Sequence, residues 1–202
     1  MNIQPIFPVE LFWWKWDGDM EDILYKAKKL KQGNFGQSVP DLHNNEEFEE
    51  LFKFFHKCLG EVKNFYDLQC DELRIVTAWM NKYVTNTGQD FHQHPMSAFS
   101  GCFYLTDGAP ITFKDPIAVR QYESVIPISR QNADRRADFP AIKGNLMIFP
   151  HWLEHGLWNG LPQDRWSLAF NSLPNGRINC DANCVSSAAW DLRKSFNEID
   201  SQ

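Results

Sequence analysis

The sequence contains no apolar run approaching the ~20 residues of a membrane-spanning helix. Its start, Met1-Asn2-Ile3-Gln4-Pro5-Ile6-Phe7-Pro8, carries no basic leader. A soluble cytoplasmic protein with no membrane partner is expected. Positive charge is also in short supply: 20 Lys and Arg against 26 Asp and Glu give a net charge of −6, which argues against a broad basic face for nucleic acid. The longest basic run, Lys26-Ala27-Lys28-Lys29-Leu30-Lys31, reads as the solvated face of a helix. Cysteine is sparse, and the odd count of Cys58, Cys70, Cys102, Cys180 and Cys184 fits reduced thiols. Cys180 and Cys184 have no second Cys or His pair beside them, so C-x-x-x-C reads as incidental and not as a zinc site. No repeat and no low-complexity tract is present.

What the chain does have is apolar and aromatic bulk. At 202 residues and 43% apolar, residues 1–202 suit a single domain with a full-sized core. The aromatic share is high at 14%, which predicts a wide aromatic core. Residues 1–70 read as a helical N-terminal part. Met20, Ile23, Leu24, Ala27 and Leu30 recur at helical spacing over Asp19 to Gln32. A second stripe, Phe48, Leu51, Phe52, Phe55, Leu59, Val62 and Phe65, marks a helix over Asn45 to Asp67.

After Leu73 the rhythm shortens. Strands are expected at Leu73 to Trp79, Ser97 to Leu105, Ile111 to Phe113, Leu146 to Phe149, Gly156 to Trp158 and Arg165 to Ser172. The polar stretch Ser129 to Asp138 reads as a loop, solvated or a substrate lid. Residues 173–202 read as a C-terminal extension with a short helix from Ser187 to Asn197. Helices followed by many short strands indicate an α+β chain whose core, residues 71–172, is a sandwich or jelly roll.

Three features carry chemistry. His92-Gln93-His94 would put two imidazoles on one face of a strand, ~7 Å apart along it; alone, they could equally be surface histidines before Pro95. His155 opens a strand behind the apolar run Leu146-Met147-Ile148-Phe149. Across the turn at Asn159-Gly160, alternation then places Arg165, Ser167, Ala169 and Asn171 on one face of a strand and Trp166, Leu168 and Phe170 on the other. The second face is core. Were the first to line an interior, the Arg165 charge would need an anion, since no acid on that face supplies one. Otherwise the strand is half exposed and the guanidinium lies in water. His151-Trp152-Leu153-Glu154-His155 matches the H-x-x-E-H zinc-protease pattern, but Pro150 and Gly156 leave no room for the helix that chemistry needs.

The order H-x-H, distal His, Arg ten positions later and Ser two beyond resembles the 2-oxoglutarate and Fe(II)-dependent oxygenases. The pieces from Phe91 to Leu105, Ile111 to Pro116, Gly144 to Pro150 and Arg165 to Asn171 are similar to a small group of that superfamily found in marine bacteria and phages. The resemblance covers about Trp79 to Asn171. It implies a double-stranded β-helix (jelly roll) with the N-terminal helices packed on one face. It implies Fe(II) held by His92, His94 and His155, with 2-oxoglutarate as cosubstrate. Arg165 and Ser167 would grip its far carboxylate, with Tyr104 and Asn171 in support. The superfamily usually carries an acid where His94 stands; Asp90 and Asp115 are the nearest acids that could take that role instead. The implied reaction consumes O2, releases succinate and CO2, and hydroxylates a substrate the sequence does not name. The alternatives are a metal-binding cupin-like jelly roll without catalysis and a structural jelly-roll protein of phage type. A homodimer is compatible with all of these.

Overall fold

The computed structural model describes residues 8–33, 36–85, 87–116, 136–158, 164–178 and 190–191. Two helices, α1 (Met20–Lys29) and α2 (Glu49–Phe65), fall where the apolar stripes put them. Asp19 caps α1 by accepting from the backbone N–H groups of Glu21 and Asp22. A short 3-10 turn, Glu46–Phe48, replaces the expected first turn of α2, and another, Leu42–Asn44, precedes it.

Among the described residues, ten strands follow the chain: β1 (Phe12–Lys15), β2 (Cys70–Tyr83), β3 (Gln89–His92), β4 (Phe99–Tyr104), β5 (Gly108–Lys114), β6 (Arg136–Ala141), β7 (Asn145–Pro150), β8 (His155–Leu157), β9 (Arg165–Ile178) and β10 (Trp190–Asp191). They form two antiparallel sheets. The larger runs β1-β7-β4-β9-β10, with β2 also paired to β9; the smaller runs β3-β8-β5-β6. This is the double-stranded β-helix, with α2 against the outer face of the larger sheet.

Three expectations are corrected. The first seventy residues are not helical throughout, because Phe12–Lys15 pairs with β7 at Asn145–Ile148. Arg136 and Asp138, assigned to a polar loop, belong to a strand paired with β5; the remainder of that stretch lies outside the described residues. Trp190–Asp191, assigned to a helix, pairs with the end of β9, and the rest of that expected helix lies outside the described residues. Cys180 and Cys184 also lie outside them.

Alternation along the strands builds two apolar layers. Phe103, Ile148, Leu168 and Phe170 point outward and meet Phe48, Leu51, Phe55 and Leu59. Phe55 lies between Phe170, with ring centroids 5.2 Å apart, and Phe103 at 5.4 Å. Each such buried side chain contributes about 1.5–3 kcal/mol. Gly101 on β4 is required here, since a Cβ would run into the Phe170 ring. The opposite faces of the same strands look inward. There Cys102, Tyr104, Met147 and Phe149 meet Ile111 and Phe113 from the smaller sheet and Leu153 from the turn between β7 and β8.

Candidate metal and cosubstrate site

The inward face of β9 is the face that sequence alternation selected. Arg165, Ser167 and Ala169 line a cavity between the sheets, joined by Trp79, Asn81 and Tyr83 of β2, Gln89 and His92 of β3, His155 of β8, and His94. Asn171 shares the face but does not line the cavity. Its Oδ1 accepts from the Ser100 hydroxyl at 2.9 Å and its Nδ2 donates to Thr77 Oγ1 at 3.3 Å.

The three histidines converge. His92 and His155 are directly opposite in the β3–β8 ladder. β3 ends at His92, so His94 is not on the strand that the spacing argument assumed. It is held instead by its backbone N–H on the His151 carbonyl at 3.1 Å, with its ring 6.0 Å from that of Trp79. One ring nitrogen from each of His92, His94 and His155 lies within 4.8 Å of the others. Asp90 is exposed, and neither it nor Asp115 joins this group.

The surrounding backbone fixes which nitrogens face inward. His92 Nδ1 is 2.8 Å from the Asp90 carbonyl, and His155 Nδ1 is 2.8 Å from the Leu153 carbonyl. Carbonyls only accept, so both Nδ1 atoms donate and both Nε2 atoms keep a lone pair. His155 Nε2 and His94 Nε2 stand 3.2 Å apart. Burial pushes the His94 pKa down to about 4 and that of His155 to about 3. Both rings are therefore neutral at physiological pH, the state in which imidazole binds metal. Converging imidazole nitrogens, with the far nitrogens of His92 and His155 held by carbonyls, fit a divalent transition-metal ion.

The other end of the cavity fits an anion. Arg165 is 2% exposed and spends one donor on the Ala109 carbonyl at 2.9 Å. Its guanidinium carbon lies 4.9 Å from the Tyr104 ring centroid and 5.7 Å from that of Tyr83. Arg165 Nε, Ser167 Oγ and the Tyr104 hydroxyl are buried without hydrogen-bond partners. The Cys102 thiol, a weak partner, sits against all three. Burial drives the Tyr104 pKa well above its ordinary value, so its hydroxyl is a donor. Three donors left idle around a buried cation match a carboxylate. Gly108 leaves room for this arginine, because a Cβ there would lie 3.1 Å from its Cδ.

The protease pattern takes no part. His151 Nδ1 meets the His94 carbonyl, Glu154 pairs with Lys114 at 2.6 Å, and neither residue is on a helix.

A double-stranded β-helix with clustered imidazoles at one end of its cavity and a buried arginine at the other defines a class, the metal- and keto-acid-dependent oxygenases. Residues 77–171 match the family model described as "Putative 2OG-Fe(II) oxygenase". The match covers just under half of the chain and takes in His92, His94, His155 and Arg165. No curated protein sequence matches it. Among solved structures, HygX from Streptomyces hygroscopicus with nickel, 2-oxoglutarate and hygromycin B bound superposes with a TM-score of 0.61. Its identity is 14%, over 82% of this chain and 83% of that one. The non-heme alpha ketoglutarate dependent epimerase SnoN from nogalamycin biosynthesis gives 0.59 at 12% identity, covering 92% and 89%. A Pseudomonas putida prolyl-4-hydroxylase gives 0.57 at 12%, covering 83% and 94%.

Proposed function

We propose that this chain is an Fe(II)- and 2-oxoglutarate-dependent dioxygenase in which His92, His94 and His155 hold the iron. Arg165, Ser167 and Tyr104 bind the far carboxylate of 2-oxoglutarate. The observation that carries this reading is the set of three idle buried donors on Arg165, Ser167 and Tyr104, in one cavity with three converging imidazoles. A metal-binding jelly roll without this cosubstrate has no use for a buried arginine with idle neighbours, since an uncompensated buried charge costs several kcal/mol.

Bound iron and 2-oxoglutarate supply the O2 chemistry, with loss of CO2 and formation of succinate. The protein's own residues bind, orient and exclude. The Asp90 and Leu153 carbonyls hold the His92 and His155 rings with Nε2 inward. Arg165 neutralises one carboxylate, while Ser167 and Tyr104 donate to it and fix its orientation. Ile111, Phe149 and Leu157 add apolar surface to the cavity wall, which strengthens polar contacts inside it. We place the reaction at a substrate C–H bond, with hydroxylation as its simplest outcome. The neighbours' own ligands and activities are too diverse to choose the substrate. Free Cys58, Cys70 and Cys102 fit a cytoplasmic setting, and no helix among the described residues is long and apolar enough to cross a membrane.

The test is turnover of 2-oxoglutarate by iron-loaded protein in air. Succinate should form in the wild type, even slowly without substrate, and should be lost on His155→Ala. Absence of succinate from a protein that has bound both iron and 2-oxoglutarate would overturn the assignment.

A further inference from the structure

The cavity is unusual in its charge. Among the described residues that line it there is no Asp or Glu; the charged side chain present is Arg165. The position that commonly supplies a carboxylate to iron is His94, so the ligand group is three imidazoles. Metal-binding imidazoles are neutral. On the function proposed above, a divalent ion together with Arg165 exceeds the charge of the 2-oxoglutarate dianion by one. That positive charge sits in a largely buried site, where an unpaired charge is costly.

Two amide side chains line the cavity, Gln89 beside His92 and Asn81 opposite Ser167 in the β2–β9 ladder. Asn81 Oδ1 is 3.1 Å from Trp79 Nε1 and 3.1 Å from Gln37 Nε2. Indole nitrogen only donates, so Asn81 Oδ1 accepts from Trp79 and its Nδ2 remains a donor. Gln89 Oε1 accepts from the Tyr83 hydroxyl at 2.5 Å, and its Nε2 is 3.4 Å from His92 Nε2. His92 Nδ1 already donates to Asp90, so its Nε2 accepts and the neighbouring Gln89 atom is the amide nitrogen. Two independent constraints therefore fix the donor atom of each amide, and that of Gln89 lies against the metal-facing nitrogen of His92. When a cation takes the His92 lone pair, the Gln89 N–H2 loses its acceptor there.

We infer that the site takes a monoanion at the histidine end in addition to 2-oxoglutarate, so that its substrate or co-ligand is acidic. Gln89 donates to the anionic groups gathered there. The chemistry is that of a carboxylate carried by an organic substrate or of a small inorganic anion, and the inference rests on the cosubstrate assignment above.

The test uses full-length protein loaded with Co(II), read by its visible d–d absorption. 2-Oxoglutarate is titrated first. Sodium azide, chloride and acetate are then each titrated into the 2-oxoglutarate complex, alongside the His94→Asp variant. The wild type should give a saturable spectral change with azide, and His94→Asp should lower azide affinity at least tenfold while still responding to 2-oxoglutarate. A parallel response to acetate assigns the slot to a carboxylate-bearing substrate; a response to azide and chloride without acetate assigns it to an inorganic anion. If 2-oxoglutarate responds and no anion does, or if His94→Asp binds azide as tightly as wild type, the monoanion slot is wrong and the cosubstrate assignment stands. If 2-oxoglutarate itself gives no response, both fall. The wild-type titration decides the matter even should the variant fold poorly.

Discussion

His92 and His155 face one another across the β3–β8 ladder, and each gives its Nδ1 proton to the carbonyl two residues before it. The same local device on two strands leaves two lone pairs aimed at one point. Removing either ring should therefore hurt far more than loosening a neighbour, which typically costs ~10- to 100-fold in metal affinity. His92→Ala and His155→Ala should each weaken Co(II) or Ni(II) binding by about 100-fold or more, measured by calorimetry. Retention of near wild-type affinity would remove that histidine from the ligand set.

Tyr104 offers a separation of stability from binding. Its hydroxyl is buried without a partner, an arrangement that costs roughly 1–3 kcal/mol. Tyr104→Phe removes that cost. The metal-free variant should melt at or above the wild-type temperature, while 2-oxoglutarate binds several-fold more weakly. A destabilised variant with unchanged 2-oxoglutarate affinity would mean that the hydroxyl serves the fold instead.

The buried histidines make stability depend on pH in a defined direction. His94 and His155 titrate near 4 and 3 in the folded protein, below their ordinary 6.5, chiefly because of burial. As pH falls below about 6.5 the unfolded chain takes up these protons first. Their stabilising effect is thus fully present above that pH and lost progressively down toward 4 and then 3. The melting temperature of metal-free protein should fall over this window, and His94→Gln should flatten part of the decline. An unchanged slope in that variant would show that other groups set the acid sensitivity.

Gly101 tests the packing of helix on sheet. An added Cβ runs into Phe170, whose ring rests on Phe55. Overpacking of this kind costs ~1–3 kcal/mol. Gly101→Ala should lower the denaturation midpoint accordingly. A variant as stable as wild type would show that the helix layer can move away from the sheet.

Much of this could be read from the chain. Strict alternation separated Arg165 and Ser167 from Trp166, Leu168 and Phe170, and that division is the wall between cavity and helix layer. The stripe from Phe48 to Val62 gave α2 for the same reason. What was missed depends on distant pairing. Phe12–Lys15 is too short to announce itself and is a strand because β7, more than a hundred residues on, offers its edge. Arg136 and Asp138 ended the polar stretch that read as loop, yet Arg136–Ala141 is a strand whose one described partner is β5, and an edge strand tolerates both its charges and its proline. His94 reached the cluster by leaving the strand, with its backbone tied to His151. Asn81, Tyr83 and Gln89 were not singled out as site residues. A period-two signal existed in Trp79, Asn81 and Tyr83, which share the cavity face. Asn171 followed the same rule on β9, but its amide is engaged by Ser100 and Thr77, away from the cavity.

The most direct measurement of the central claim is an anaerobic titration of Fe(II)-loaded protein with 2-oxoglutarate, followed by visible absorption, in wild type and Arg165→Ala. Wild type should develop a saturable charge-transfer band. Arg165→Ala should keep its iron and require roughly 30-fold more 2-oxoglutarate or beyond, since truncating one partner of a buried charge pair costs ~2–5 kcal/mol. No band in wild type, or equal 2-oxoglutarate affinity in the two proteins, would contradict the account.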